Sequence, residues 1–163
     1  MSYTFETMAE QHRHTVIDIF NYFVRNTWAA YPEEPVGSGF FDYLLQVSKG
    51  YPTCIVRNGA GAVAGFALLR AHLPSAAFRK TAETTYFILP EHTRQGLGSL
   101  IIERFVADAR NIGVETMLAN VSSRNTVSLQ FHRKMGFSEC GRFTRIGRKF
   151  GEDFDVVWMQ RFI

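Results

Sequence analysis

The residues best suited to chemistry form a glycine-containing loop, Thr93-Arg94-Gln95-Gly96-Leu97-Gly98-Ser99, between a strand-like and a helix-like segment. The first amides of a helix lack intrahelical partners and lie at the positive end of the helix dipole, so they bind phosphate groups well. Gly96 and Gly98 carry no Cβ and would let a pyrophosphate approach the backbone closely. The same glycines would also suit a tight turn with close helix packing, and the loop alone leaves both interpretations open.

The loop departs from the fingerprint of dinucleotide-binding proteins. That fingerprint requires a third glycine, or an alanine in its place, and Ile101 stands at this position. A dinucleotide site is therefore disfavoured.

Two elements position the loop. Upstream, the β-branched and aromatic run Thr84–Leu89 predicts a strand that Pro90 ends. Downstream, apolar residues recur three or four apart from Leu97 to Val106, which predicts a helix with one apolar face that stops at Gly113. The loop is thus predicted to connect a strand to the start of a helix.

The remaining patterns complete an α/β chain that we expect to form one domain over residues 1–163. Its order is β-α-α-β-β-β-α-β-α-β-β, without internal repeats. The other predicted strands cover 3–5, 53–57, 62–69, 114–121, 140–146 and 154–162, and the other predicted helices cover 16–24, 40–47 and 125–135.

Composition narrows the functional classes. The chain has 163 residues, of which 46% are hydrophobic and 20% charged, as expected for one soluble domain with a substantial core. Its formal charge of +3 is not concentrated in a basic run, which disfavours nucleic acid and suits a small polyanionic ligand. No apolar run approaches the ~20 residues that span a bilayer, and the two cysteines show no pairing pattern. We therefore expect a cytoplasmic protein without membrane contact.

Two motifs follow the loop: Asn125-x-x-Ser128-x-x-x-His132-x-x-x-Gly136-Phe137 and the tail Gly147-x-Lys149-x-Gly151-x-x-x-Asp155-Val156-x-x-x-Gln160. With the element order and the glycine loop, they resemble the GNAT superfamily of acyl-CoA-dependent N-acyltransferases over essentially the whole chain. Within it, the chain resembles the phosphinothricin and methionine sulfoximine N-acetyltransferase group. The resemblance implies a mixed, largely antiparallel sheet, splayed in the middle and flanked by helices on both faces, and it implies a homodimer.

The resemblance also implies a binding site for acetyl-CoA between the strands that end at Leu89 and Val121, and no metal. Unpaired backbone groups from Phe87 to Leu89 would bond the pantetheine amides, while the loop, with Arg94, would hold the pyrophosphate. Thr93 stands where the family usually has Arg or Gln, which leaves the backbone contribution intact. Asn125 has two competing roles, since its oxygen would either bond pantetheine or cap its helix. The implied cofactor-binding residues are Phe87, Ile88, Leu89, Arg94, Gln95, Gly96, Leu97, Gly98, Ser99, Asn125 and Ser128.

Acetyl transfer to an amine requires a neutral amine, stabilisation of an oxyanion and a proton for the departing thiolate. The resemblance implies that Glu83 is the general base. Alternatively, Glu83 is a solvated residue before the strand without a role in the chemistry. It also implies that His132 delivers the proton to the sulfur. Alternatively, His132 is a hydrogen-bonded histidine at a helix edge without a role in the chemistry. Backbone amides near Leu89 would stabilise the oxyanion. Neither cysteine lies in a motif with a base, so direct attack within a ternary complex is expected.

The resemblance favours the primary amine of a small molecule, such as an amino-acid analogue, as the acceptor. The group carries an arginine and an aromatic residue before the base, and Ser75 and Phe78 occupy these places here. Loss of the arginine indicates a changed acceptor, unless another cation enters the pocket. The candidates for that cation are Arg70, Arg79 and Lys80. Asp153 likewise replaces a tryptophan of the tail. The proposed amine pocket, or else part of the core, comprises Trp28, Tyr31 and Phe78. Alternatives are a protein or peptide N-acetyltransferase and a non-catalytic sensor of CoA.

Overall fold

The computed structural model describes residues 2–163, which form seven strands and four helices. The helices are α1 (Arg13–Asn26), α2 (Gly39–Val47), α3 (Leu97–Asn111) and α4 (Thr126–Lys134). The strands are β1 (Thr4–Glu6), β2 (Thr53–Arg57), β3 (Val63–Ala71), β4 (Thr81–Ile88), β5 (Thr116–Ser122), β6 (Ser138–Lys149) and β7 (Glu152–Phe162). The predicted order of elements is confirmed.

The strands form one sheet in the order β1-β2-β3-β4-β5-β7-β6. Every neighbouring pair is antiparallel except β4 and β5, which are parallel and pair only where Thr81–Glu83 lie beside Thr116–Leu118. Beyond Glu83 the two strands separate. The predicted mixed, largely antiparallel sheet with a splay in its middle is therefore confirmed.

Strand β4 begins at Thr81, three residues earlier than its apolar pattern predicted. Pairing with β3 and β5 draws the less apolar residues Thr81, Ala82 and Glu83 into the strand. Glu83 is therefore a buried residue inside β4, and the alternative of a solvated residue before the strand does not hold.

Successive residues of β4 direct their backbone N–H and C=O groups alternately towards β3 and towards β5, which decides the groups that face the gap between β4 and β5. The amide of Leu89 donates to the carbonyl oxygen of Ala64 at 2.9 Å. Because residues of an antiparallel pair alternate in their hydrogen bonding, Phe87 also bonds towards β3, whereas Tyr86 and Ile88 direct their N–H and C=O groups towards β5. The pairing of β4 with β5 does not extend to them. The expectation that Phe87 and Leu89 offer free backbone groups, and that the Leu89 amide binds an oxyanion, is corrected accordingly.

Helices cover both faces of the sheet, as predicted. The cluster under α1 and α2 contains Val16, Phe41 and Phe66, and the cluster under α3 and α4 contains Phe105 and Leu129. The two clusters lie on opposite faces, so the gap in the sheet connects two separately packed layers.

A buried lysine ties the segment between α1 and α2 to the β6–β7 hairpin. Lys149 is 1% exposed, and its Nζ donates to the carbonyl oxygens of Thr27 at 2.8 Å and Ala30 at 2.6 Å. Beside it, Tyr31 stacks on Phe154 with ring centroids 5.6 Å apart. These contacts position a segment that forms one wall of the site described next.

Replacement of Gly65 by alanine is expected to lower the free energy of unfolding by about 1–3 kcal/mol, the usual cost of overpacking. A Cβ at Gly65 would meet the carbonyl oxygen of Phe87 and lie 3.0 Å from the Cα of Ile88. Because both are backbone atoms, β3 and β4 would have to move apart. Urea denaturation measures the change.

Gly37→Ala is the matched control, since no atom lies within 4 Å of a Cβ built there. Its free energy of unfolding should stay within about 0.5 kcal/mol of the wild type. Equal stability of Gly65→Ala and the wild type would contradict the packing constraint.

Candidate active site

The gap between β4 and β5 opens into a cavity of about 720 Å³. The cavity reaches from the loop before α3, past α4, to the layer formed by α1 and α2. Its walls include Arg94, Gly96, Gly98 and Ser99 at one end, Thr84, Tyr86, Ile88, Asn120, Ser128 and His132 in the middle, and Phe20, Phe23, Tyr31, Phe40, Tyr43 and Arg70 at the other end.

The loop end has the features of an anion site. Gly96 caps α3 in a left-handed conformation with φ of 82°, which leaves the first amides of the helix unpartnered at the cavity. Arg94 is also left-handed, with φ of 59°, an uncommon and strained conformation for a residue other than glycine. The side chains of Arg94 and Lys134 line this end and add positive charge. Gly98 lines it too, and it packs so closely on Phe131 that a Cβ would lie 3.0 Å from the ring.

Two residues of the loop point elsewhere. The Gln95 side chain accepts a hydrogen bond from Tyr3 at 2.9 Å and donates to the Glu91 carbonyl at 2.8 Å. Leu97 is buried in the cluster under α3. Their side chains therefore hold the loop in place, and of these two residues only the backbone is available to a ligand.

The middle of the cavity contains polar groups without partners. Backbone groups of Tyr86 and Ile88 face the gap unpaired, and within residues 2–163 the hydroxyl of Thr84 is the one buried side-chain polar atom with no hydrogen bond. A buried polar group without a partner costs free energy, so such groups mark places where a ligand supplies the bond. The pantetheine arm of acetyl-CoA, with its amides and thioester, fits this requirement.

Tyr86 and His132 meet beside the gap. His132 Nδ1 lies 2.8 Å from the Ser128 carbonyl oxygen, which can only accept, so Nδ1 carries the hydrogen. Burial lowers the pKa of His132, which favours the neutral ring with a lone pair on Nε2. Burial also raises the pKa of Tyr86, whose hydroxyl lies 3.4 Å from that Nε2. In this arrangement Tyr86, and not Nε2 of His132, holds the proton that can be donated.

The two roles considered for Asn125 are both visible. Its side chain accepts from the Ser128 amide at 3.2 Å and so caps α4. Asn125 and Ser128 also line the cavity. Capping uses the amide oxygen of Asn125 and leaves its NH₂ group for a ligand.

Glu83 forms the centre of a charged cluster near the other end. Its Oε2 accepts from Arg70 Nε at 3.1 Å and Nη2 at 2.6 Å, and its Oε1 lies 2.8 Å from His72 Nδ1. Arg70 stands directly opposite Glu83 in the β3–β4 register and reaches the Tyr43 hydroxyl at 3.2 Å. Only Arg70 and Tyr43 of this cluster line the cavity, whereas Glu83 lies behind Arg70.

The walls at this end are mostly aromatic and aliphatic. Tyr31 donates to Asn120 Oδ1 at 2.9 Å, and burial raises the pKa of Tyr31 to about 12, so the hydroxyl stays protonated. Phe20, Phe23 and Leu44 contribute apolar surface. This end suits an acceptor that has an apolar part and a charged or polar part.

The predicted amine pocket is corrected for two of its three aromatic residues. Tyr31 lines the main cavity, but Trp28 borders a separate pocket with Arg124 and packs on Phe150. Phe78 is 40% exposed outside the cavity and contacts the edge of His72.

Of the three cations considered for the acceptor, Arg70 is the one that lines the cavity. Arg79 bonds the Ala76 carbonyl, and Lys80 pairs with Glu115 on the surface. Neither of these two side chains lines the cavity, whereas Arg70 does.

Sequence reasoning missed several residues that the structure brings together: His72, Tyr43, Thr84, Tyr86 as a donor, and Asn120. No strand pattern pointed to His72, because the predicted strand ended at residue 69 and β3 ends at Ala71. The position of Arg70 and His72 beside Glu83 depends on the register of β3 and β4, which the sequence pattern does not specify.

No helix within residues 2–163 is long and apolar enough to cross a membrane. Over the same range, no group of three or more His, Cys, Asp and Glu side chains is arranged to hold a metal ion.

Curated relatives match along most of the chain. An L-methionine sulfoximine/L-methionine sulfone acetyltransferase of Pseudomonas paraeruginosa is 32% identical over 149 residues, which cover 89% of this chain and 86% of the relative. A phosphinothricin N-acetyltransferase of Streptomyces coelicolor is 26% identical over 148 residues, covering 88% of this chain and 86% of the relative.

A solved structure agrees with these relatives. The GNAT superfamily phosphinothricin acetyltransferase of Sinorhizobium meliloti, in complex with AcCoA, superposes with a TM-score of 0.93 at 25% identity, covering 100% of this chain and 89% of that one. Residues 14–137 match the sequence pattern of the Acetyltransferase (GNAT) family. With the splayed sheet, the anion-binding loop and the open gap between β4 and β5, this match shows that the chain belongs to the GNAT family of acetyltransferases.

Proposed function

We propose that this protein transfers acetyl from acetyl-CoA to the primary amine of a small amino-acid-like molecule, by direct attack within a ternary complex. The observation that carries the proposal is the continuous cavity, which joins an anion-binding loop, an unpaired strand edge and an arginine at the acceptor end. Relatives that act on methionine sulfoximine and phosphinothricin support the acceptor class.

The donor substrate occupies the loop and the gap in this proposal. Amides at the start of α3, with Arg94 and Lys134, hold the diphosphate. The pantetheine arm lies along β4 and bonds the free backbone groups of Tyr86 and Ile88, as an added strand would. Strand geometry gives about 13 Å from Ile88 to Thr84, so the arm reaches the narrow end of the gap beside Thr84.

The departing thiolate receives its proton from the Tyr86–His132 pair in this proposal. Tyr86 carries a hydroxyl proton, and His132 accepts a hydrogen bond from it through Nε2. His132 therefore acts through Tyr86 in this proposal, and not as the direct proton donor that the resemblance assigned.

The acceptor is bound at the end lined by Arg70 in this proposal. A guanidinium has five N–H groups, and the bonds to Glu83 and Tyr43 use three of them. The remaining two are available for the carboxylate of an amino-acid analogue, and its side chain contacts the aromatic wall from α1 and α2. The amine then lies near Glu83, where it loses its proton.

Purified protein is expected to release CoA from acetyl-CoA with methionine sulfoximine, phosphinothricin and methionine as acceptors. Methionine amide, which lacks the carboxylate, should show a kcat/KM lower by roughly 10- to 100-fold, the value of a charge-assisted hydrogen bond. Thiol release measured with each acceptor tests both statements.

Arg70→Gln should reduce this preference for the acid over the amide, because the cation that recognises the carboxylate is lost. Arg79→Gln, which changes an arginine outside the cavity, is the matched control and should keep the preference. Absence of CoA release with every amine would refute the proposed function.

Thr84→Val is expected to weaken acetyl-CoA binding while it stabilises the ligand-free protein. Valine has the same shape but lacks the hydroxyl that is buried without a partner. Loss of one hydrogen bond to the ligand should raise the dissociation constant about 3- to 10-fold, and removal of the unpaired hydroxyl should raise the free energy of unfolding by about 1 kcal/mol. Calorimetric titration and urea denaturation measure the two effects. Thr84→Ser should resemble the wild type, and unchanged affinity of Thr84→Val would argue against contact with the ligand.

The ring of His132 is expected to take up a proton at lower pH than histidine in an unfolded chain, because burial lowers its pKa. The unfolded state therefore binds the proton first, and the contribution of His132 to the free energy of unfolding falls as the pH drops below about 6.5. NMR titration of the ring protons gives the pKa directly. A midpoint at or above the ordinary value would contradict the neutral ring inferred here.

A further inference from the structure

The carboxylate of Glu83 is already bonded by three donors. Oε2 accepts two N–H groups of Arg70 and Oε1 accepts the ring N–H of His72, and the side chain is 7% exposed. These three donors occupy three of the about four lone-pair sites of the carboxylate, so little acceptor capacity is left. A carboxylate held in this way is suited to orient its neighbours and to stabilise positive charge on them.

His72 has a ring nitrogen that makes no hydrogen bond. An ionised carboxylate has no hydrogen to donate, so Nδ1 of His72 carries the hydrogen of this 2.8 Å contact. The neutral ring then has its lone pair on Nε2, which has no hydrogen-bond partner anywhere in residues 2–163. The side chain is 28% exposed, and its edges contact Phe78 and Trp158.

His72 directly follows the end of β3 and does not itself line the cavity, but its neighbours lie beside residues that do. Arg70, two residues before His72 on β3, lines the cavity itself. Trp158, which the ring contacts, pairs across the sheet with Asn120, another residue of the cavity wall. A water molecule can bridge a bound amine and a ring in this position.

We propose that His72 accepts the proton of the acceptor ammonium through Nε2, by way of one bridging water, and that Glu83 is the positioning residue. An N–H bond of the ammonium breaks and leaves its electron pair on nitrogen for attack, while an Nε2–H bond forms. The positive charge moves to the imidazolium, next to the carboxylate of Glu83. The exposed edge of the ring then releases the proton to solvent.

The charges around the ring support this assignment. Glu83 on β4 faces it directly, and Arg70 on β3 faces it through Glu83. The contacts from the segment before β4 and from β7 are the uncharged Phe78 and Trp158. A histidine oriented by a carboxylate is a common general base in enzymes.

The inference rests on the proposed acetyl transfer and is tested with His72→Gln, whose amide can still donate to Glu83 but has no basic nitrogen. At neutral pH its kcat/KM for an accepted amine should fall about 100-fold, within the usual range for a general base. The loss should shrink as the pH approaches the pKa of the amine, and also with fluorinated forms of that amine, which are less basic and need no base. His14→Gln, an exposed histidine on α1, is the matched control and should behave like the wild type.

A purely structural role for His72 would give the same loss at every pH and with every amine, and this result would overturn the inference. The inference would also be overturned if the loss of kcat/KM depended on amine basicity in Glu83→Gln but not in His72→Gln, because the base would then be Glu83. Acetyl-CoA binding measured by calorimetry shows whether each variant is folded, and His72→Asn repeats the test with a shorter side chain. A wild-type protein without CoA release refutes the proposed function itself, whereas full activity of His72→Gln refutes only the role of His72.

Discussion

Strands β4 and β5 share three residue pairs and then separate, and the chemistry of the protein depends on the backbone groups that this separation leaves without partners. Within a sheet these groups would normally bond a neighbouring strand, and an unmet bond in a buried place is costly. Tyr86 and Ile88 therefore create a requirement that an extended ligand with amides can meet. The anion-binding start of α3 lies at one end of this ligand path, and the charged cluster around Glu83 lies at the other.

Helices packed on both faces of the sheet surround the gap between β4 and β5. The helices α3 and α4 cover one face of the sheet, and α1 and α2 cover the other. Close contacts fix neighbouring elements within a layer, such as α3 against α4 at Gly98 and Phe131, and β3 against β4 at Gly65. The wall between α1 and α2 is held by Lys149, a residue from the distant β6–β7 hairpin. The empty space is thus maintained by well-packed surroundings on every side.

Local patterns predicted much of this arrangement, and non-local pairing accounts for most of what they missed. The loop, the start of α3 and the cap by Asn125 follow from glycine positions, apolar periodicity and capping chemistry within a few residues. The start of β4 depends on its partners, so the pattern placed it three residues late and left Glu83 outside. The cluster of Glu83 with Arg70 and His72 requires the β3–β4 register, which the apolar pattern does not encode. Aromatic type alone likewise did not distinguish Tyr31, in the cavity wall, from Trp28 and Phe78.

The division of the fold into two layers has an evolutionary consequence. The proposed donor site is built from α3, α4 and the strand edges, whereas the proposed acceptor site is built mainly from α1, α2 and the segment that Lys149 anchors. Apart from Phe20 and Phe23, which pack on Phe87 of β4, the second group contributes few side chains to the first. Homologous proteins with this fold can therefore differ in the amines that they accept and still bind the same coenzyme.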